Sequence, residues 1–180
     1  QLRVFYQHEE NNPNSFDYAT FNSDMGFNYG CEFDSRLKIS NKLYLDSSIG
    51  YLNTYISNFI YLDVVYGKRE QAHAPSYTYN MNFMYELSKN NSIRLSFNGM
   101  DKFFFDDQYD HMSTRRDLID LSLNSKYKNI TLTLFSKNIT NEKYEVRGYT
   151  FGLEPPNYEI ENYKSYGQPR IIGISLTYSM

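Results

Sequence analysis

Apolar and polar residues alternate along most of the chain, and this period of two predicts β-strands rather than helices. The clearest segment is the last one, where every second residue is apolar: Ile172, Ile174, Leu176, Tyr178 and Met180. Similar alternation predicts strands in six earlier segments, near 27–38, 43–51, 77–87, 93–98, 119–124 and 130–135. A shorter run, 2–6, predicts part of a further strand, which gives about eight in all.

The connections between these segments alternate strictly between short and long. The short connections lie near 40–42, 88–91 and 128–129, and the long ones near 9–24, 53–76, 104–116 and 139–168. A soluble β-sandwich has no reason to keep that order. A bacterial outer-membrane barrel does, because its periplasmic turns are short and its extracellular loops are long. Strands of about 9–11 residues also match the tilted span of a bilayer.

The chemistry of the two faces favours the barrel over the sandwich. Tyrosines occur on the apolar parity near strand ends, as in the aromatic girdles of membrane barrels: Tyr51, Tyr77, Tyr85, Tyr127 and Tyr178. Charged residues occupy the opposite parity in mid-strand: Glu32, Asp34, Arg36, Asp46, Arg94 and Asp120. The predicted fold is therefore all-β, an antiparallel transmembrane β-barrel wall that is apolar outside and polar inside. A soluble sandwich remains the main alternative.

Composition narrows the function classes. The chain has 180 residues, no stretch of about 20 apolar residues that would form a membrane helix, and a net charge of −3. No basic cluster is longer than Arg115–Arg116, so no nucleic-acid surface is predicted. The single cysteine, Cys31, excludes an internal disulfide. We find no catalytic or phosphate-binding motif and predict no enzyme activity, cofactor or metal site. The three histidines, His8, His73 and His111, show no metal-ligand spacing.

Basic and aromatic side chains in the long connections are candidate ligand-binding residues. Guanidinium and ammonium groups suit an anionic ligand, and aromatic rings with polar edges suit a binding mouth. The candidates are Lys68, Arg69, Arg115, Arg116, Arg147, Tyr149, Phe151 and Tyr158. The basic residues could instead be solvated or pair with lipopolysaccharide phosphates. The aromatic residues could instead form a membrane-interface belt or pack within the loops, and we favour the belt for Phe103–Phe105.

Several stretches resemble elements of TonB-dependent outer-membrane receptors. Residues 134–144, LFSKNITNEKY, look like the family's N-L-x-(D/N)-x-x-Y element, and 147–158, RGYTFGLEPPNY, resemble a loop of one branch of the family. Residues 167–178, GQPRIIGISLTY, resemble its closing G-x-P-R strand. Weaker matches, in the family's order, are YGCE at 29–32 and APSY at 74–77.

The resemblance implies a function and a set of partners. Residues 1–180 would be the C-terminal segment of a barrel of about 22 strands, with the plug domain absent from this chain. The receptor would reside in the bacterial outer membrane and take up a ferric siderophore or another scarce nutrient. Its partners would be that ligand, the plug and N-terminal barrel strands, TonB through the plug, and lipopolysaccharide with outer-membrane lipid. The family usually ends in Phe, whereas this chain ends in Met180.

Two alternatives belong to other functional classes. About eight strands would also fit a complete small barrel with an adhesion or envelope-anchoring role, in which the first and last strands pair. We predict instead that 170–179 pair with 130–138 and not with 2–8. An outer-membrane enzyme would need a nucleophile or a carboxylate pair near the rim, and neither Glu9–Glu10 nor Asp106–Asp107 is arranged for it.

Overall fold

The computed structural model describes residues 2–7, 16–21, 25–61, 64–152, 155–156 and 158–179, with only the backbone described at 2–7, 16–21, 59 and 61. Within these residues the regular structure is entirely β, and no helix is long and apolar enough to cross a membrane. The strands are β1 Leu2–Gln7, β2 Phe16–Phe21, β3 Gly26–Lys38, β4 Leu43–Ile56, β5 Phe59–Tyr61, β6 Val64–Tyr66, β7 Tyr77–Ser88, β8 Asn91–Met100, β9 Arg116–Tyr127, β10 Ile130–Lys137, β11 Glu145–Phe151, β12 Glu161–Tyr166 and β13 Ile171–Tyr178.

Seven of these strands form one antiparallel sheet in the order β13-β10-β9-β8-β7-β4-β3. Each strand therefore lies beside the one before it in the wall, and the predicted strand segments from 27 onward are confirmed. The antiparallel order places all the short turns, 39–42, 89–90 and 128–129, at one end, which we call the short-turn end. The connections 57–76, 101–115 and 138–170 lie at the other end, the long-loop end.

The partner of the first strand was not predicted from the sequence. Residues 2–7 are a strand, as predicted, but β1 pairs with β2 in a separate two-stranded sheet. Among the described strands, β13 pairs with β10 and no ladder joins β13 to β1. The predicted pairing of 170–179 and the strand at 2–6 are confirmed, whereas the prediction of a connection over 9–24 is wrong at 16–21, which form β2.

The apolar face of the sheet is exposed. In β13, Ile172 and Ile174 are 76% and 72% exposed, and cross-strand neighbours such as Leu134 beside Ile174 continue the same face. In a soluble sandwich this face would be buried against a second sheet about 10 Å away. An exposed apolar stripe that continues from strand to strand is the arrangement of a wall that faces lipid.

Polar side chains hydrogen-bond to one another across the opposite face. Asn80 bonds both Asn98 and Asn82, and the Ser96 hydroxyl donates to Asn82 Oδ1 at 2.7 Å. Thr133 donates to Asn124 Oδ1 at 2.8 Å on neighbouring strands. These cross-strand pairs help to fix the register and give the wall a polar inner face.

Candidate functional site

The connection 101–115 folds back on itself at the long-loop end and buries two aromatic rings. Its arms are tied by Phe105 N to His111 O at 3.0 Å and by Ser113 N to Phe103 O at 2.9 Å. Phe103 is 8% exposed and Phe105 4%, with ring centroids 5.5 Å apart. We call Phe103, Phe105, His111 and Ser113 the loop core. The sequence-based interpretation of Phe103–Phe105 as a membrane-interface belt is wrong for the two buried rings, because they pack against loop residues and not toward lipid.

Arg69 joins connection 57–76 to connection 101–115. Its guanidinium donates to the carbonyl oxygens of Tyr109 and Asp106 at 2.8 and 2.9 Å and to the Asp110 carboxylate at 2.7 Å. It also lies 4.6 Å from the centre of the Phe104 ring, and its side chain is 12% exposed. Arg69, predicted as a ligand contact, thus has its guanidinium occupied within the loops. The adjacent Lys68 is exposed.

The hairpin formed by β11 and β12 docks onto the loop core through a glycine and a carboxylate. A Cβ atom on Gly148 would lie 2.5 Å from the Phe105 ring, so only glycine allows this approach. Glu145 is 8% exposed and accepts hydrogen bonds from the Thr114 N–H and hydroxyl, and from Lys164 at 3.3 Å. The two contacts fix the hairpin above connection 101–115.

Burial and hydrogen bonding together determine the charge states of Glu145 and His111. Burial alone would raise the pKa of Glu145, but the hydrogen bonds from Thr114 and Lys164 outweigh it and lower the pKa to about 2. Burial lowers the pKa of His111, and the positive charge of Lys164 lowers it further. At neutral pH the carboxylate is therefore ionised and the imidazole neutral. Both ring nitrogens of His111 are buried without a partner among the described residues.

The opposite face of the β11–β12 hairpin brings predicted site residues together. A bulge between Glu145 and Arg147 turns Arg147, Tyr149 and Phe151 to the side away from Gly148. Tyr149 is 58% exposed and stacks on Tyr163 with ring centroids 5.0 Å apart. The Arg147 side chain is exposed, and its guanidinium forms no hydrogen bond or ion pair with the described residues. The tip of the hairpin carries exposed Tyr158. We call Arg147, Tyr149, Phe151 and Tyr163 the mouth face.

The two remaining candidates lie at the start of β9. Arg115 pairs with Asp117 at 2.9 Å and lies 5.7 Å from the Tyr77 ring. Arg116 lies 5.0 Å from the Tyr144 ring. The structure therefore groups Arg147, Tyr149 and Phe151, with Tyr158 at the tip, on one hairpin, while Arg69, Arg115 and Arg116 make contacts elsewhere.

The family-like motifs meet at the junction between β10 and β13. Asn138, with φ +48°, donates to the carbonyl oxygens of Glu142 and Gln168 and accepts from the Glu142 N–H. Asn is one of the few residues that adopt this conformation readily. The Tyr144 ring lies directly on Gly167, where a side chain would clash. These motif residues thus hold the base of the hairpin and the start of β13.

The polar face of the wall contains an open groove of about 520 Å³ near the long-loop end. Glu32, Thr78 and Pro75 are among its lining residues. Gly30 and Gly50 also line it and, having no side chains, leave the space open. No group of three or more His, Cys, Asp or Glu residues that could hold a metal ion occurs within the described ranges.

The loop core and the Glu145–Thr114–Lys164 contact were not predicted from the sequence. Two features of the sequence could have pointed to the loop core. They are the three consecutive phenylalanines at 103–105 and the glycine between Arg147 and Tyr149. The pairing of the two depends on packing between connections about 40 residues apart, which local sequence patterns do not encode.

Two solved receptors have a similar fold. With the ferric yersiniabactin uptake receptor FyuA from Yersinia pestis, 85% of this chain aligns at 14% identity and a TM-score of 0.70, covering 23% of that receptor. With the siderophore receptor PiuA from Acinetobacter baumannii, 84% aligns at 12% identity and a TM-score of 0.62, covering 21%. The chain thus spans less than a quarter of either receptor's length. No protein-family model and no curated protein matches the sequence. The predicted fold class, an all-β antiparallel wall of a transmembrane barrel, is confirmed.

Proposed function

We propose that the chain is the C-terminal part of the barrel wall of a TonB-dependent receptor, and that the receptor takes up a ferric siderophore or a similar scarce chelate across the bacterial outer membrane. The plug and the remaining strands belong to the rest of the receptor, and TonB acts through the plug. The long-loop end faces the outside and the short-turn end faces the periplasm. Transport rests on binding and conformational release, with no covalent chemistry.

The mouth face is the observation that carries this proposal. The exposed Tyr149 ring stacks on the half-buried Tyr163, and the unpaired Arg147 guanidinium is on the same face. Together they offer flat apolar surface and positive charge to one ligand. Aromatic and arginine side chains supply much of the binding energy at recognition surfaces. A ferric siderophore combines planar chelating groups with polar or anionic oxygen atoms, so both features have a counterpart in the cargo.

The loop core supports the same proposed function. Binding loops cost less to order when they are already held in place. Here Arg69 fixes connection 57–76 to 101–115, and Glu145 with Gly148 fixes the hairpin above them. The mouth face is thus presented on a supported hairpin. The groove beside Gly30 and Gly50 gives the polar wall a recess of a kind that a plug segment could fill.

Replacing Arg147 and Tyr149 together by alanine should reduce uptake by about tenfold or more. Hot-spot arginine and aromatic residues typically cost about 2 kcal/mol or more when truncated. The measurement is uptake of ⁵⁵Fe from a panel of catecholate, hydroxamate and phenolate siderophores, in a strain whose other iron receptors are deleted. The full-length receptor is used, and its amount in the outer membrane is matched between strains.

The matched control is Thr150→Ala with Asn162→Ala. These side chains hydrogen-bond each other at 2.8 Å and alternate with the mouth face on the same hairpin. We expect uptake to change little. Wild-type uptake by the double variant of Arg147 and Tyr149, at equal receptor levels, would assign the hairpin a structural role instead.

A further inference from the structure

The short-turn end of the wall is rich in lysine. Each short turn places a lysine next to an asparagine: Asn41–Lys42, Lys89–Asn90 and Lys128–Asn129. Two further lysines, Lys38 and Lys126, lie at the ends of β3 and β9, and Glu86 is the nearby acidic residue. Three turns of independent sequence therefore carry the same charge at the same depth.

The turn lysines have no counter-ion among the residues that the structure describes. Lys42, Lys89 and Lys128 are exposed, and none of them forms an ion pair with any described residue. At the long-loop end, by contrast, three of the basic side chains, Arg69, Arg115 and Lys164, each pair with a carboxylate. The positive charge at the short-turn end is thus left available to an external anion.

The turns are held side by side by the backbone. The carbonyl of Lys42 accepts from Glu86 N at 2.8 Å, and that of Asn90 accepts from Lys126 N at 2.8 Å. The carbonyl of Asn129 accepts from Ser179 N at 2.9 Å. The three turn lysines therefore stand in a fixed row along the rim rather than on independent flexible loops.

Lys128 has a backbone conformation that is unusual for lysine. Its φ is +50°, a conformation normally taken by glycine or asparagine in a two-residue hairpin turn. Asn129, a residue type that favours this conformation, follows one position later.

The surface next to the lysines is apolar and aromatic. The lipid-facing parity at this end exposes Leu37, Ile39, Leu87, Tyr127, Ile130 and Tyr178. The Lys128 ammonium lies 5.5 Å from the centre of the exposed Tyr127 ring. Tyrosine bodies in the acyl region with ammonium groups just beyond them match the depth of lipid headgroups.

We infer that the row Lys42, Lys89 and Lys128 binds the phosphate groups of anionic phospholipids in the leaflet that the short-turn end faces. The inference goes beyond cargo uptake and takes from the proposed function only the barrel's orientation. Each lysine near an anionic surface favours binding by roughly fivefold, and salt screens the attraction. The ligand is a phosphate-bearing lipid rather than the cargo.

The test uses the full-length protein in phosphatidylcholine vesicles with trace spin-labelled phosphatidylglycerol or phosphatidylcholine. Electron spin resonance measures the fraction of each probe immobilised at the protein. We expect phosphatidylglycerol to be preferred by roughly fivefold or more at low salt. The preference should fall at least twofold in Lys42→Gln/Lys89→Gln/Lys128→Asn, where Lys38 and Lys126 remain, and toward onefold in high salt. Asparagine is chosen at 128 because it accepts the positive φ.

Lys102→Gln with Lys143→Gln removes charge from the long-loop end and should leave the preference unchanged. Heat-modifiable migration on a gel confirms that each variant is folded. An equal preference for both lipids in the wild type would overturn the inference, as would an equal loss in the control. Displacement of the probe by lipopolysaccharide at this rim, but not by phosphatidylglycerol, would overturn the assignment to the periplasmic leaflet. The experiment does not measure cargo uptake. Its outcome can therefore contradict the lipid-binding inference without bearing on the proposed uptake function.

Discussion

Leu132→Arg should destabilise the folded receptor in a membrane by about 2–4 kcal/mol, the typical cost of arginine on the lipid face near the bilayer midplane. Leu132 lies in the middle of β10, is 37% exposed on the apolar face, and neighbours Leu176 of β13. Lipid offers no partner for the guanidinium there. The free energy of unfolding from vesicles, measured by denaturant titration of the full-length protein, gives the value.

The adjacent substitution Thr133→Arg is the matched control. Thr133 lies on the polar face between Asn124 and Ser175, so a charged side chain there remains among polar groups. We expect a loss of about 1 kcal/mol, from the hydrogen bond to Asn124. Equal damage from the two substitutions would show that the faces are assigned incorrectly.

Arg69→Lys should loosen the loops at the long-loop end by about 2–3 kcal/mol. A lysine ammonium cannot reproduce the fork that contacts the carbonyls of Asp106 and Tyr109 together, and these acceptors are left without their charged donor. The exposed Asp110 carboxylate contributes less, because solvent screens that pair. Hydrogen exchange of the amides in 101–115 should become at least tenfold faster.

Lys68→Asn is the control for Arg69. Lys68 is adjacent in sequence, exposed, and has a φ of +59° that asparagine tolerates. Exchange in 101–115 should match the wild type. If Arg69→Lys also left exchange unchanged, the guanidinium would not be what holds the two connections together.

The wall was largely predictable from the sequence because its two faces meet different solvents. In β13 the apolar residues alternate with Gly173, Ser175 and Thr177 without interruption, so strand, face and neighbour follow from the pattern. The pattern does not specify pairing partners, and so the partner of the strand at 2–7 was missed. Its partner, 16–21, reads FDYATF, which lacks apolar alternation and was assigned to a loop.

The candidate site was predictable only in part. Arg147, Tyr149 and Phe151 were grouped by their spacing in one connection, and the bulge that orients them together was not foreseeable. Arg69 was chosen for the same reason as Arg147, because it is a charged residue in a long connection. Whether its guanidinium is free depends on carbonyl oxygens 37 and 40 residues away, which only the fold brings near.

Cysteine accessibility in intact cells tests the central claim, a membrane-spanning wall with its long loops outside. In a Cys31→Ser background, single cysteines are placed at Asn41 and Asn90 in short turns, and at Lys102 and Glu159 in long connections. All four positions are exposed. A membrane-impermeant maleimide should label 102 and 159 in intact cells, and 41 and 90 only after the outer membrane is opened. Labelling of 41 and 90 in intact cells, with 102 and 159 protected, would contradict the account.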